Sequence, residues 1–181
     1  MVRLRDMVRS DIEDYVRWFT TQIEWSDWDA PWEDCVCTEE EARRDWTDYY
    51  EEVSLLPENR FRRKFEVEAD GVHAGWVSSY TDLGWQTCPE GSLAVGIDLP
   101  EEYCRGRGIG AEALRQFMRY CNDHGYTTIY TQTWSGNIRM TALAAKLGFR
   151  EVLRLHGFRE VRGEKYDALT YRLDLSSAEQ E

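Results

Sequence analysis

The stretch Gly96-Ile97-Asp98-Leu99-Pro100-Glu101-Glu102-Tyr103-Cys104-Arg105-Gly106-Arg107-Gly108-Ile109-Gly110-Ala111 constrains this chain more than any other. It begins in a mostly apolar run, Ser92 to Leu99, of the kind that forms a buried central strand. It ends in a helix over Gly108 to Asp123, with Ile109, Ala113, Leu114, Phe117, Met118 and Cys121 on one face. Between them stand three alternating glycines and two arginines. Glycine permits positive φ and removes Cβ atoms, so backbone N–H groups can converge on an anion. The helix N-terminus adds unpaired donors and a partial positive charge. Arg105 and Arg107 are expected to supply mobile cations beside them. By its physics the turn is a phosphate or pyrophosphate cradle, or else a tight strand-to-helix turn with no ligand. It lacks the Gly-Lys-Ser/Thr of a P-loop and the G-x-G-x-x-G spacing of a dinucleotide fold.

Around this turn the periodicity gives an α/β (α+β) order. A short strand at Val2 to Arg5 precedes a helix capped by Ser10 or Asp11 and running to about Thr20. Thr38 and Glu41 form the capping box of a second helix, to about Val53. Phe61 to Ala69 and Val72 to Tyr80 alternate as strands about Asp70-Gly71, a strong hairpin signal. Leu83 to Gly91 reads as a loop. Thr127 to Thr133 is a strand, Asn137 to Leu147 a helix, and Arg150 to His156 and Ala168 to Leu175 are strands. The expectation is one domain over 1–175 built on a mixed sheet, with a polar tail over 176–181.

Arg105-x-x-Gly108-x-Gly110 resembles the Q/R-x-x-G-x-G/A signature of the GNAT N-acetyltransferase superfamily. Asn137, 27 residues after Gly110, opens a helix ending Lys146-Leu147-Gly148-Phe149, which is similar to the family's second element. The pair covers roughly residues 92 to 155, and the resemblance implies a central mixed, mostly antiparallel sheet flanked by helices in a single domain. The resemblance implies acetyl-CoA as donor, its pyrophosphate on the backbone of Arg105, Gly106, Arg107, Gly108, Ile109 and Gly110. Ile97, Asp98 and Leu99 would pair with the pantetheine arm, and a strand N–H would polarise the thioester carbonyl. Asn137 would bond the pantetheine or hold the splayed sheet, and it equally suits a helix cap. Many family members place a tyrosine in the second helix to protonate the thiolate. This chain has Ala144 there, similar to the ribosomal-protein and aminoglycoside branches. Ser135, Tyr130 or a water could replace it.

An ammonium cannot attack a thioester, so a base must remove a proton. Asp98 is the first candidate, with Glu101, Glu102 and Asp82 as alternatives. The acceptor expectation rests on Gln22 to Glu41, where Glu24, Asp27, Asp29, Glu33, Asp34, Glu39, Glu40 and Glu41 meet no Lys or Arg. Trp25, Trp28 and Trp32 interleave with these acids. Indoles and carboxylates together suit a cationic amine, and a solvated acidic loop with its tryptophans packed inward fits the pattern as well. Trp25, Asp27, Trp28, Asp29 and Trp32 are therefore the candidate acceptor residues. The expected acceptor is a primary amine of the aminoglycoside or polyamine type. A peptide or protein N-terminus, and a silent acyl-CoA-binding domain, stay open.

The formal charge of −12 disfavours nucleic acid and anionic membranes as partners. The five cysteines and three histidines show no metal-ligand spacing, so no metal is expected. No Cys-His or Ser-His-Asp pairing points to a covalent intermediate. Met1 to Asp6 lacks the apolar run of a leader, which leads to the expectation of a soluble, cytoplasmic protein. A homodimer is left open.

Overall fold

A computed structural model describes residues 1–33, 35–82 and 88–175. Asp34, most of the Leu83 to Gly91 loop and the Ser176 to Glu181 tail lie outside these described residues. One seven-stranded sheet takes the order β1-β2-β3-β4-β5-β7-β6. Its strands are β1 Val2–Arg5, β2 Lys64–Ala69, β3 Val72–Tyr80, β4 Ser92–Asp98, β5 Thr128–Trp134, β6 Arg150–Val161 and β7 Glu164–Asp174. Every neighbouring pair is antiparallel except β4 and β5. The helices are α1 Asp11–Thr20, α2 Ser26–Asp29, α3 Glu39–Ser54, α4 Ile109–Asp123 and α5 Ile138–Lys146. Among the described residues, no helix is long and apolar enough to cross a membrane.

Local chemistry explains most boundaries. At α3 both halves of the capping box form: Thr38 Oγ1 accepts from the Glu41 backbone at 3.2 Å, and Glu41 accepts from the Thr38 backbone at 2.9 Å. At α1 the expected cap divides. Ser10 makes no side-chain cap bond, whereas Asp11 accepts from the Val8 backbone at 2.8 Å and draws in the Arg5 guanidinium. Asp70 and Gly71 both take positive φ, which gives the β2–β3 hairpin the twist its strands need.

The sheet buries its two faces differently. Phe65, Val67, Val77, Leu93, Val95 and Ile129 meet the apolar stripe of α4, led by Leu114 and Phe117. On the opposite face Trp76 joins Tyr15, Trp18 and Trp25 beneath α1 and the chain after it, with Trp46 of α3 stacked on Tyr15 at 3.7 Å. Much of the aromatic content is thus spent on this second core.

Two irregularities position the site. The one parallel pair among the described residues is short: Ser92, Leu93 and Ala94 of β4 meet Thr128, Ile129 and Tyr130 of β5, and beyond these the strands part. The Thr131 hydroxyl spans the start of the gap, donating to the Val95 carbonyl at 2.8 Å. From there β4 runs to Asp98 paired with β3, and β5 runs to Trp134 paired with β7. The second irregularity is a bulge opposite Val67 and Glu68, with Gly75 at φ +150. A Cβ on Gly75 would stand 2.0 Å from the Asp98 carbonyl oxygen. Only glycine lets β3 approach the end of β4 so closely.

Candidate active site

A cavity of about 680 Å³ passes through the gap between β4 and β5. At one end lies the glycine turn. Gly106 and Gly108 take φ of +71 and +81, and Gly108 is the residue on which α4 starts. A Cβ at either would meet no atom within 4 Å, so the turn presents bare backbone to its surroundings. Gly110 differs: a Cβ there would make ordinary contacts at 3.5–3.6 Å with Leu99, Ile97 and Leu143.

Of the two arginines of the turn, Arg105 is not the mobile cation expected. Arg105 is pinned, donating from Nε to the Leu99 carbonyl at 2.9 Å and from Nη2 to the Pro100 carbonyl at 3.0 Å, and it pairs with Glu24. It fixes the shape of the loop. Arg107 is exposed and does not line the cavity. The further cations on the cavity wall are Arg139 and Lys146, spaced seven apart along α5 and hence on one helical face. The i, i+7 spacing inside the second motif was the available signal for them.

Asn137 does two jobs at once. Its Oδ1 caps α5 by accepting from the Met140 backbone at 2.9 Å, and its Nδ2 donates to the Trp28 carbonyl at 2.6 Å. Trp134 Nε1 donates to the same carbonyl at 2.9 Å. The chain around α2 is thereby strapped over the gap. Glu24 reinforces the strap, accepting from Trp28 Nε1 at 2.7 Å while pairing with Arg105 and Arg139. The Arg139 guanidinium lies 3.8 Å from the Trp28 ring centre.

The rest of the cavity wall is aromatic and acidic. Trp25, Trp28, Asp29, Ser78, Tyr80 and Asp98 line it. Strand alternation turns Ile97 and Leu99 toward the α4 core and Asp98 toward Trp76, whose indole donates to its carboxylate. Burial pushes the Asp98 carboxyl well above the usual range and Asp29 adds to this, while Lys64 opposes it. Asp29 stands open to solvent at the rim; the protein packed around its carboxyl, and then Glu33, raise it too.

Other expected residues fall elsewhere. Glu101 is bound by Trp18 Nε1 at 3.0 Å, by Gln22 Nε2 at 3.4 Å and by Arg17, so it ties α1 to the loop after β4 instead of facing the cavity. Ser135 is also displaced from the role expected of it: its Oγ accepts from the Asp167 backbone at 3.0 Å, which holds the start of its turn to β7, away from the cavity lining. Asp27 reaches outward to Arg162 at 2.7 Å. Trp32 packs edge-on against Trp134 with the Arg159 guanidinium 4.3 Å from its ring, so it is outer wall. Tyr130 and Ala144 are buried off the lining, and Asp82 and Glu102 do not contribute to it. Tyr80, which the strand pattern gave no reason to single out, does.

A family model described as an acetyltransferase (GNAT) domain matches residues 2–150. The chain belongs to the GNAT acetyltransferase family. Its curated relative YwnH of Bacillus subtilis (strain 168), provisionally described as a phosphinothricin acetyltransferase, is 27% identical over 110 residues. That match spans 60% of this chain and 66% of YwnH, a little under two thirds of the relative's length. Among solved structures, Mycobacterium smegmatis RimJ in complex with CoA-disulfide superposes with a TM-score of 0.77 at 21% identity, covering 99% of this chain and 85% of that one. RimL, a ribosomal L7/L12 alpha-N-protein acetyltransferase solved with coenzyme A, gives 0.74 at 17% identity, covering 97% and 95%. At these identities the two structures speak for a common GNAT fold.

Proposed function

We propose that this GNAT domain is an acetyl-CoA-dependent N-acetyltransferase whose acceptor is a primary amine on a cationic small molecule. One observation carries the reading: a single cavity in the gap between β4 and β5 is lined both by the bare glycine backbone and by Trp25, Trp28, Asp29 and Asp98. A pyrophosphate suits the glycine turn, because backbone N–H groups and a helix N-terminus there need an anion. A pantetheine arm suits the gap, since β4 beyond Ala94 has lost its β5 partner and can pair with an amide chain. An ammonium suits the part of the wall where Asp29 and Asp98 act on each other's charge and Trp25 also contributes.

The chemistry then needs few parts. Asp98, with its carboxyl raised by burial, is a stronger base than an ordinary aspartate and takes the proton of the incoming ammonium. Trp76 orients it. The neutral amine attacks the thioester directly, and β4 backbone donors steady the oxyanion, an effect worth roughly 2.7–4 kcal/mol where one such donor has been removed from an acyl-transfer enzyme. The test is release of coenzyme A thiol from acetyl-CoA with spermidine, an aminoglycoside and short peptides as separate acceptors, beside calorimetric titration with acetyl-CoA. Release with the first two supports the reading. Release with peptides alone moves the acceptor to a polypeptide N-terminus, and binding of acetyl-CoA without release to any of them supports a silent binding domain.

A further inference from the structure

When the amide forms, coenzyme A leaves as a thiolate, and α5 carries Ala144, fully buried and off the cavity, at the position where the resemblance looks for a tyrosine. On the reading of the cavity as an acetyl-CoA site, the geometry points to Tyr80 as the residue that protonates the departing sulfur.

Tyr80 is the last residue of β3 and pairs with Ala94, the last β4 residue that β5 still holds. Its ring lies across β4 beside Gly96, where a Cβ would stand 3.6 Å from its Cε1. The missing side chain of Gly96 thus opens the path along which the phenol extends. Its oxygen reaches β5 on the far side, where it takes a hydrogen bond from the Gln132 backbone N–H, two residues past the last β4–β5 pair. The hydroxyl therefore bridges β3 to β5 at the point where the gap opens. Because that oxygen accepts from Gln132, the O–H itself is the function it can offer a third group.

The other hydroxyls and the thiol on the wall are poorer candidates. Thr131 gives its hydroxyl to Val95. Cys104 belongs to the glycine-turn end, next to Arg105. Ser78 and Thr133 are aliphatic alcohols, much weaker acids than a phenol. Burial first, then the charges of Asp29 and Asp98, hold the Tyr80 phenol above its ordinary range, so it carries its proton throughout the neutral region. The protons balance. Asp98 takes one proton from the ammonium and gives it up to solvent, the C–N bond forms, and the C–S bond breaks as sulfur takes the Tyr80 proton. Asp98 then takes the second proton from the new amide nitrogen and passes it to the phenolate, leaving amide, thiol, one proton in solvent and the starting enzyme.

The experiment uses coenzyme A as probe. The thiol pKa of bound coenzyme A is followed by the carbon NMR shift of the atom bonded to sulfur, in the wild type, in Tyr80→Phe and with 3-fluorotyrosine at position 80. A phenol that donates to the sulfur stabilises the thiolate. Tyr80→Phe should therefore raise the thiol pKa by about one unit, a tenfold change in its ionisation constant, with coenzyme A affinity kept. The fluorinated residue, a stronger donor, should lower it. An unchanged pKa at unchanged affinity in both variants overturns the role of Tyr80 and leaves the proposed function standing. Loss of affinity with no pKa change makes Tyr80 a wall of the site, and also overturns it. Failure of the wild type to bind coenzyme A removes both readings.

Discussion

His73 Nε2 lies 2.9 Å from Glu66 Oε2, while its Nδ1 lies 3.0 Å from Asp14 and 3.4 Å from Asp11. The imidazole is nearly inaccessible, and Tyr15 donates to the same Glu66 oxygen at 2.6 Å. Asp11, Asp14 and His73 are the one group of metal-ligand residues that comes together among the described residues, and here the cations among these carboxylates are the imidazolium, Arg5, which grips Asp11 at 2.6 and 2.8 Å, Arg17 at 3.0 Å from Asp14 and Lys64 at 3.9 Å from Glu66. Burial alone would lower the His73 pKa. The bonds to Asp14 and Glu66 and the charges of Glu66 and Asp11 outweigh it and raise it to about 9. A folded pKa above the unfolded value of 6.5 means stability fully present below pH 6.5 and lost as pH rises through 9, on the order of 3 kcal/mol in all. Lys64, lowered to about 8 by burial, acts oppositely between about 8 and 10.5. Asp98, raised by burial, acts in the same sense as His73. The variant is therefore the readout: between pH 6.5 and 8 the denaturant midpoint of the wild type should fall more steeply than that of His73→Gln. Equal slopes would show that His73 does not carry the charge.

Asp98 is tuned by a residue that never reaches the cavity. The Lys64 ammonium sits among the rings of Trp46, Tyr15, Tyr49 and Trp76, at 4.2 to 5.0 Å from their centres, and its charge opposes the rise of the Asp98 carboxyl. Lys64→Met keeps the apolar stem and removes the charge. The acid limb of kcat/KM should move to higher pH, because the Asp98 carboxylate loses its nearby cation. Asp98→Asn should abolish that limb and lower kcat by roughly 10²-fold, with acetyl-CoA affinity kept. A limb that stays in place in both variants assigns the base to another group.

The sequence carried the frame because its signals were local. Thr38 with Glu41, and Asp70 with Gly71, act within four residues, and each element formed where its chemistry placed it. The β6–β7 hairpin turns at Arg162 and Gly163, both at positive φ, so β6 runs on from His156 to Val161 and β7 begins at Glu164. Both strands there are largely exposed, and without an apolar face alternation had little to report. Within the site, the glycine turn was legible for the same local reason. What was not legible depended on tertiary partners. Glu101 and Asp98 are three residues apart in one acidic stretch, yet one meets Arg17 and Trp18 and the other Trp76. Trp28 and Trp32 lie four apart and end on opposite sides of the cavity wall. Tyr80 gained its position from the absence of a side chain at Gly96, a contact between strands that no spacing along the chain encodes.

The glycines of the turn separate by two tests, conformation and space. Gly108 sits at φ +81, where a β-branched residue is strained, and its Cβ would project from the bare backbone of the cradle. Gly108→Val should reduce acetyl-CoA affinity at least 10²-fold by calorimetry in a protein that still folds. Gly110 lies inside α4, and the contacts its Cβ would make are ordinary ones. Gly110→Ala should leave affinity within about threefold and should not lower thermal stability, since alanine is the better helix former by roughly 1 kcal/mol. Equal losses in both variants would locate the cofactor elsewhere.

Glu101 gives the sharpest contrast with Asp98. It accepts from the Trp18 indole, the Gln22 amide and Arg17, and so fastens α1 to the segment that follows β4. Glu101→Ala strands the indole N–H of a fully buried tryptophan, and an unsatisfied buried donor costs about 1–3 kcal/mol. The expected result is a lower midpoint in urea, with the acid limb of the rate profile unmoved. Glu101→Gln keeps an acceptor for Trp18 and should recover most of the stability. If instead Glu101→Gln abolished the acid limb at full stability, the proton acceptor would lie beside α1, and the approach of the amine from the Trp25 and Trp28 side would have to be given up with it.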